Sequence, residues 1–340
     1  MRWQDIYIAG TGAYLPERFP VAEAVEQGLV REFNSGLGYE SVLIERGGTA
    51  APDMAVHAAR QALQRAGIPT EEYGLHLHAH LWFQGHDWWS AANYVAARSS
   101  GNQAVAFTLD QRSLTALGGM HLAAGYLSSG AASTAMITTA DRFTAPMIDR
   151  WNTQRQLIFG DGATAAVLSR NGGVAKLVAT VAFGENEMET WTRGDEPFLD
   201  FPGQSSPVPV FERAEARMTA PEAANDWKLW VDSMVRLKDE VLAEAGIGIK
   251  DIVRAAMPFQ HRGDGQAEMH DLIGLTEEQT VWRELGRHTG HIGAGDPFAG
   301  INHLLEHKLV APGDHVLAYG CGVGFNFSAA VLQITETPAW

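Results

Sequence analysis

Cysteine is nearly absent from this sequence: one thiol, Cys321, stands among 340 residues. That excludes an internal disulfide framework and fits a reducing compartment, so the expected location is the cytoplasm. Lysine is almost as scarce, 5 against 20 arginines, and 40 acidic residues outnumber the 25 basic ones, for a formal charge of −15. So acidic a balance argues against nucleic acid or an anionic membrane as the main partner. Long apolar runs are missing too. Nothing approaches twenty uninterrupted apolar residues, and the opening MRWQDIYIAG lacks the basic flank and apolar core of a secretory signal. What is present is a composition that is 46% hydrophobic. This suffices to bury a large core, in one large domain or two of ordinary size.

Strand-like and helix-like segments alternate along the chain. Residues 5–14 (DIYIAGTGAY) read as a buried strand running into a glycine turn, and 52–66 have the spacing of an amphipathic helix. Strands are expected at 73–83, 104–109 and 134–139, with helices at 90–99 and, long and rich in small residues, at 113–129. The second half repeats the order, with helices at 220–245, 277–289 and 297–308 and strands at 251–258 and 315–319. The phrase FGDGATAAVLSR (159–170) in the first half is echoed by GCGVGFNFSAAVLQI (320–334) in the second, each a glycine turn leading into a small-residue strand. Duplication is the economical reading: an α/β protein of two similar halves, 1–170 and 171–340, packed on each other. Residues 184–216 are the least patterned, with too much proline and glycine for an element interior. They are expected to form a long excursion near a pocket or dimer interface, or a plain surface loop.

These phrases, IAGTGAYLPE, SLTALGGMHLAAGYLSSGAASTAMITTAD, FGDGATAAVL, RHTGHIGAGDP and YGCGVGFNFSAAVL, together resemble the ketoacyl-ACP synthase III branch of the thiolase superfamily over nearly the whole chain. The resemblance implies a duplicated five-layer αβαβα thiolase fold, a homodimer, and acyl-CoA or acyl carrier protein as substrate, with no cofactor and no metal. In such enzymes the nucleophile opens the long buried helix, sixteen residues before a Ser-Gly that ends it. Counting back from Ser129-Gly130 gives Ser113, so serine replaces the family's cysteine. Condensing members also use a His in a Pro-His-Gln-Ala-Asn phrase and an Asn in a Gly-Asn-Thr phrase. Here MPFQHRG places Phe259 at the first position and RHTGHIG places Gly290 at the second, unless His261 reaches in from a shifted register.

Serine has a far higher pKa than cysteine and needs a base to take its proton during attack. His291 lies one position past the family's asparagine, on a loop that in this fold reaches the nucleophile. Asp296 follows across the bend HIGAGDP, where a carboxylate can fix the imidazole tautomer. A branch of synthase III-like acyltransferases from natural-product assembly is similar, with Cys or Ser, then His, then Asp. The helix N-terminus favours an anion beside it, and the expected oxyanion hole is the Ser113 N–H with the turn Gly322, Val323, Gly324. Each residue has a plainer reading: Ser113 and Asp296 as helix N-caps, His291 as a hydrogen-bonded loop histidine, the glycines as turn formers, Cys321 as a small filler.

Other residues also invite a role. His76, His78 and His80 share one face of a strand, with His86 nearby, a spacing that suits a metal or, more commonly, hydrogen bonds bordering a cavity. Trp82, Phe83, Trp88 and Trp89 read as core or as pocket wall, core being favoured. Arg150 and Arg155 fall where relatives bind the coenzyme A nucleotide, with a solvated surface role as the rival. Three functions stay open: acyl transfer to a carrier thiol or a hydroxyl in secondary metabolism, starter-unit condensation, and a non-catalytic partner of another synthase. The expected pair His291/Asp296 favours the first.

Overall fold

The computed structural model describes residues 1–200, 205–261 and 268–340. Nine strands form one twisted sheet: β1 (Tyr7–Tyr14), β2 (Tyr73–Ala79), β3 (Val105–Leu109), β4 (Thr134–Asp141), β5 (Gly162–Ser169), β6 (Ala175–Gly184), β7 (Ile252–Ala256), β8 (His315–Gly322) and β9 (Asn326–Ile334). Their order is β3-β2-β4-β5-β1-β6-β9-β8-β7. The pairing repeats. In one half β2 lies parallel to β4, which turns back antiparallel on β5, which pairs antiparallel with β1; in the other, β7, β8, β9 and β6 repeat that pattern. The two phrases seen as echoes become the equivalent strands β5 and β9. The halves join where β1 meets β6, through Tyr7↔Lys176 and Ile8↔Ala175.

Helices separate the half-sheets into five layers. α1 (Ala51–Ala66) and α2 (Ala91–Arg98) cover the outer face of the first half, and α5 (Ala223–Ala245) covers the outer face of the second. Between the half-sheets run α3 (Thr115–Ser128) and α6 (Asp296–Glu306), which explains their small and apolar composition: a helix with sheet on both sides keeps little solvent-facing surface, here Leu122 and the helix ends, to mark with charge. α1 begins with Pro52 in its first turn and ends at Gly67, whose left-handed φ of 63° lets its N–H close on Leu63 O. Strand β1 lies so close to α1 that a Cβ on Gly12 would stand 2.1 Å from Ala58 O. Among the described residues no helix is long and apolar enough to cross a membrane.

Two expected helices start or run differently. The helix expected from 113 begins at Thr115, preceded by a tight 3₁₀ turn over Arg112–Leu114. The one expected over 277–289 is three short pieces, Glu277–Gln279, a wide π turn at Trp282–Gly286, and Arg287–Thr289. There the Thr280 hydroxyl takes the Trp282 N–H, and the Val281 carbonyl accepts from both Leu285 and Gly286, widening the turn. The excursion after β6 carries a short helix, Thr190–Arg193, and α4 (Val210–Met218), and both wall a deep cavity. Residues 201–204 of it lie outside the described residues.

Candidate active site

Arg112 has φ 55°, a left-handed conformation uncommon for arginine, and this bend leads directly into Ser113 at the foot of α3. Ser113 Oγ lies 2.8 Å from His291 Nε2, and His291 Nδ1 lies 2.6 Å from Asp296 Oδ2. A carboxylate can only accept, so Nδ1 carries the proton and Nε2 is left to accept from the Ser113 hydroxyl. His291 and Asp296 are buried while Ser113 is half-buried at the floor of the cavity.

The surrounding backbone explains the alignment. His291 N–H donates to Ile158 O at 2.8 Å and His291 O accepts from Gly160 N–H at 3.0 Å, so the histidine's main chain is fastened to the FGDG segment. Its ring lies beside that of Phe159, centroids 5.7 Å apart. Asp161 of the same segment pairs with Arg150 at 3.0 Å and accepts the N–H groups of Phe143 and Glu45. Arg150, half-buried, therefore spends its guanidinium on Asp161 and on the carbonyls of Phe143 and Phe159 and acts as a strut. Arg155 lines the cavity.

Asp296 is not a helix cap. Its Oδ2 accepts the Phe259 N–H at 2.7 Å as well as His291, and its Oδ1 accepts the Ile292 N–H at 2.9 Å; the cap position belongs to Gly295. Ser113 is not one either, since the helix is capped at Leu114 without a side-chain bond. Phe259, at the family's histidine position, turns its ring into the core, and its carbonyl accepts from Tyr39 Oη at 2.7 Å. Gly290, at the asparagine position, has φ 73° and ψ 176°, and a Cβ there would meet Val42 Cγ1 at 2.9 Å and Gly160 N at 3.0 Å. His261 does not reach Ser113. It stacks on Trp282, ring centroids 5.0 Å apart, with Glu268 and Glu277 carboxylates at 3.6 and 3.9 Å, and lines a separate cavity of about 50 Å³.

The cavity above Ser113 holds about 510 Å³ and is walled by aromatic and aliphatic side chains, Trp82, Phe143, Trp191 and Trp230 among them. Arg112, Arg155, Arg193 and Arg213 also line it, and no acidic side chain does among the described residues. Cys321 lines it too and accepts a long hydrogen bond from Trp230 Nε1, 3.4 Å, so it is more than filler. The turn at Gly322 presses on the Ser113 turn: a Cβ on Gly322 would lie 2.2 Å from Gln111 O. Of the four aromatics expected in the core or the pocket wall, Trp82 lines the cavity, whereas Phe83, Trp88 and Trp89 are exposed.

Of the three strand histidines, His76 and His78 make hydrogen bonds through both ring nitrogens, whereas His80 Nδ1 is buried with no hydrogen-bond partner among the described residues. His76 Nδ1 meets Ser100 Oγ at 2.7 Å and its Nε2 meets Thr138 Oγ1 at 3.0 Å; His78 Nδ1 meets the same hydroxyl at 2.9 Å and its Nε2 meets Gln84 Oε1 at 3.2 Å. Gln84 Nε2 in turn donates to Trp82 O and Ala140 O. Burial pushes both imidazoles down to about 3, which keeps them neutral.

Two family models, described as 3-oxoacyl-[acyl-carrier-protein (ACP)] synthase III and its C-terminal part, match residues 107–186 and 242–334. The solved structure of ChlB3, described as an acyltransferase, is 32% identical with a TM-score of 0.92, covering 98% of this chain and 99% of that one. The chain belongs to the 3-oxoacyl-[acyl-carrier-protein] synthase III family. It is similar to beta-ketoacyl-[acyl-carrier-protein] synthase III 3 of Streptomyces coelicolor, 25% identical over 333 residues and 96% of each chain. The synthase III structure from Aquifex aeolicus, 21% identical with a TM-score of 0.76 over 96% of this chain and 99% of that one, shares the fold. This is thus a thiolase-fold enzyme of a transferase and condensing family whose members use acyl-CoA and acyl carrier protein.

Proposed function

We propose that this enzyme is an acyltransferase: it takes an acyl group from acyl-CoA or an acyl carrier protein onto Ser113 and passes it to a carrier-protein thiol or a hydroxyl acceptor in secondary metabolism. The reading rests on the continuous hydrogen-bonded line Ser113–His291–Asp296. As Ser113 Oγ attacks the thioester carbonyl, its proton passes to His291 Nε2; the C–S bond breaks and the leaving thiolate recovers that proton. The acceptor then gives its own proton to His291, attacks the serine ester and displaces Ser113, which is reprotonated. Asp296 stays a carboxylate throughout, holding the tautomer and balancing the imidazolium. The tetrahedral oxyanion is received by the Ser113 N–H and the turn at Gly322, Val323 and Gly324.

Condensation asks for something different. An enolate needs donors for its oxygen, and the phenylalanine and glycine at positions 259 and 290 carry none on their side chains. The ChlB3 likeness points the same way. A homodimer belongs to the proposal, paired through β3, the sheet's edge strand, where Val105 and Phe107 are each about half exposed. The test is intact-protein mass spectrometry after incubation with a panel of acyl-CoAs. Acyl mass on wild type, mapped to Ser113 and lost in Ser113→Ala, is the expected result. Label on Cys321, or rapid formation of a β-ketoacyl product with malonyl-carrier protein, overturns the reading.

A further inference from the structure

Asp141 ends β4, is wholly buried, and stands outside the Ser113 relay. Its carboxylate faces two loops at once. On one side Oδ1 accepts the N–H groups of Leu81 and Trp82, both at 2.8 Å, and these residues form part of the cavity wall. On the other side lies the bend joining His291 to Asp296. Gly293 of that bend, at φ 69°, is close enough that a Cβ on it would stand 2.1 Å from Asp141 Oδ2. The carbonyl of Trp82 is held separately, by Gln84 at the end of the histidine chain, so the peptide units on either side of Trp82 are both fixed.

We infer that Asp141 is a positioning residue coupling the cavity wall at Trp82 to the His291–Asp296 bend, so that the placement of the wall sets the alignment of the imidazole on Ser113. The inference rests on the relay reading above. Its physical basis is that one carboxylate takes the amide donors of the wall loop while lying in contact with the bend, and no ion pair reaches it among the described residues. Burial raises its carboxyl well above the usual carboxylate range, and the amide donors oppose that rise. Movement of the wall loop therefore either carries the carboxylate with its amides or leaves it under-solvated, and in both cases the carboxylate moves against the bend. The bend has little slack to absorb such a shift, because Gly293 is already in contact with Asp141.

Diisopropyl fluorophosphate tests the coupling without an acyl donor. The Ser113 Oγ–P bond forms, the P–F bond breaks, fluoride leaves, and His291 takes the serine proton, so the labelling rate reports how well the relay is aligned. The rate is measured for wild type, Trp82→Ala, Asp141→Asn and the double variant, with melting temperatures alongside. Each single variant is expected to slow labelling by about tenfold, and the double to be no slower than the worse single, the signature of one shared pathway. Labelling of Trp82→Ala at the wild-type rate overturns the coupling, and needs no fold from the Asp141 variant. Two single effects that multiply in the double variant overturn it too. A wild-type protein that takes no label on Ser113 overturns the relay reading, and the coupling with it.

Discussion

At Asp296 three donors converge on one carboxylate: the His291 imidazole, the Phe259 amide and the Ile292 amide. In Asp296→Asn an NH₂ group must face at least one of those N–H donors. The substitution is predicted to cut single-turnover acylation by about 10⁴-fold, as loss of the orienting carboxylate does in a serine triad, and also to cost about 1–3 kcal/mol of stability for the mispaired buried donor. Rate and melting temperature measured together check it; an unchanged melting temperature would contradict the three-donor geometry. The sequence permitted a cap at this residue because Asp before Pro at a helix start has that signature. It carried no sign of the Phe259 amide, which comes from 37 residues away. Restoring the condensing pair, Phe259→His with Gly290→Asn, is predicted to yield no β-ketoacyl product and to lower the melting temperature. Any side chain at 290 collides with Val42 and Gly160 in a backbone region open essentially to glycine alone. Formation of ketoacyl product in a malonyl-carrier assay would refute this.

Strand β2 was legible as a strand from its alternation, and its histidines as a group sharing one face, but their partners were not: Ser100 and Thr138 come from the end of α2 and from the neighbouring strand. Burial pushes the His76 and His78 imidazoles from an ordinary 6.5 down to about 3. In the unfolded chain they gain protons as pH falls through about 6.5, while in the folded chain they wait until about 3. The unfolded state therefore binds more protons between those values, and stability falls as pH drops across that window. His78→Gln is predicted to flatten this acid limb while lowering stability at neutral pH. Urea unfolding from about pH 4 to 7 measures both, and an acid limb as steep as wild type would count against it. The piecewise helix at 277–289 was hidden for a local reason. Its apolar spacing is helical, and only the Thr280 hydroxyl and the shared Val281 carbonyl break it.

For the whole molecule, the duplicated architecture was readable because two phrases repeat one glycine-turn-and-strand layout, and those phrases became equivalent strands in the two halves. The excursion after β6 had no such pattern, yet its expected place near a pocket holds, with Trp191, Arg193, Val210 and Arg213 in the cavity wall. β3 is the edge strand of the sheet, and if the proposed dimer pairs there, Phe107→Arg is predicted to make it a monomer without unfolding it, as read by analytical ultracentrifugation. A monomeric wild type would remove the basis for that pairing. Of the four arginines of the cavity, Arg112, Arg193 and Arg213 are ion-paired with Asp110, Glu189 and Glu196, so the local attraction falls mainly to Arg155, inside a molecule of net charge −15. A polyanionic donor thus meets repulsion far away and a modest attraction close in, two forces with different reach. Added salt shortens the Debye length toward about 8 Å at physiological strength and weakens the distant force first. Donor capture should therefore quicken as salt is first added and slow once the arginines themselves are screened, giving a bell-shaped dependence on ionic strength where a basic enzyme would show a steady decline.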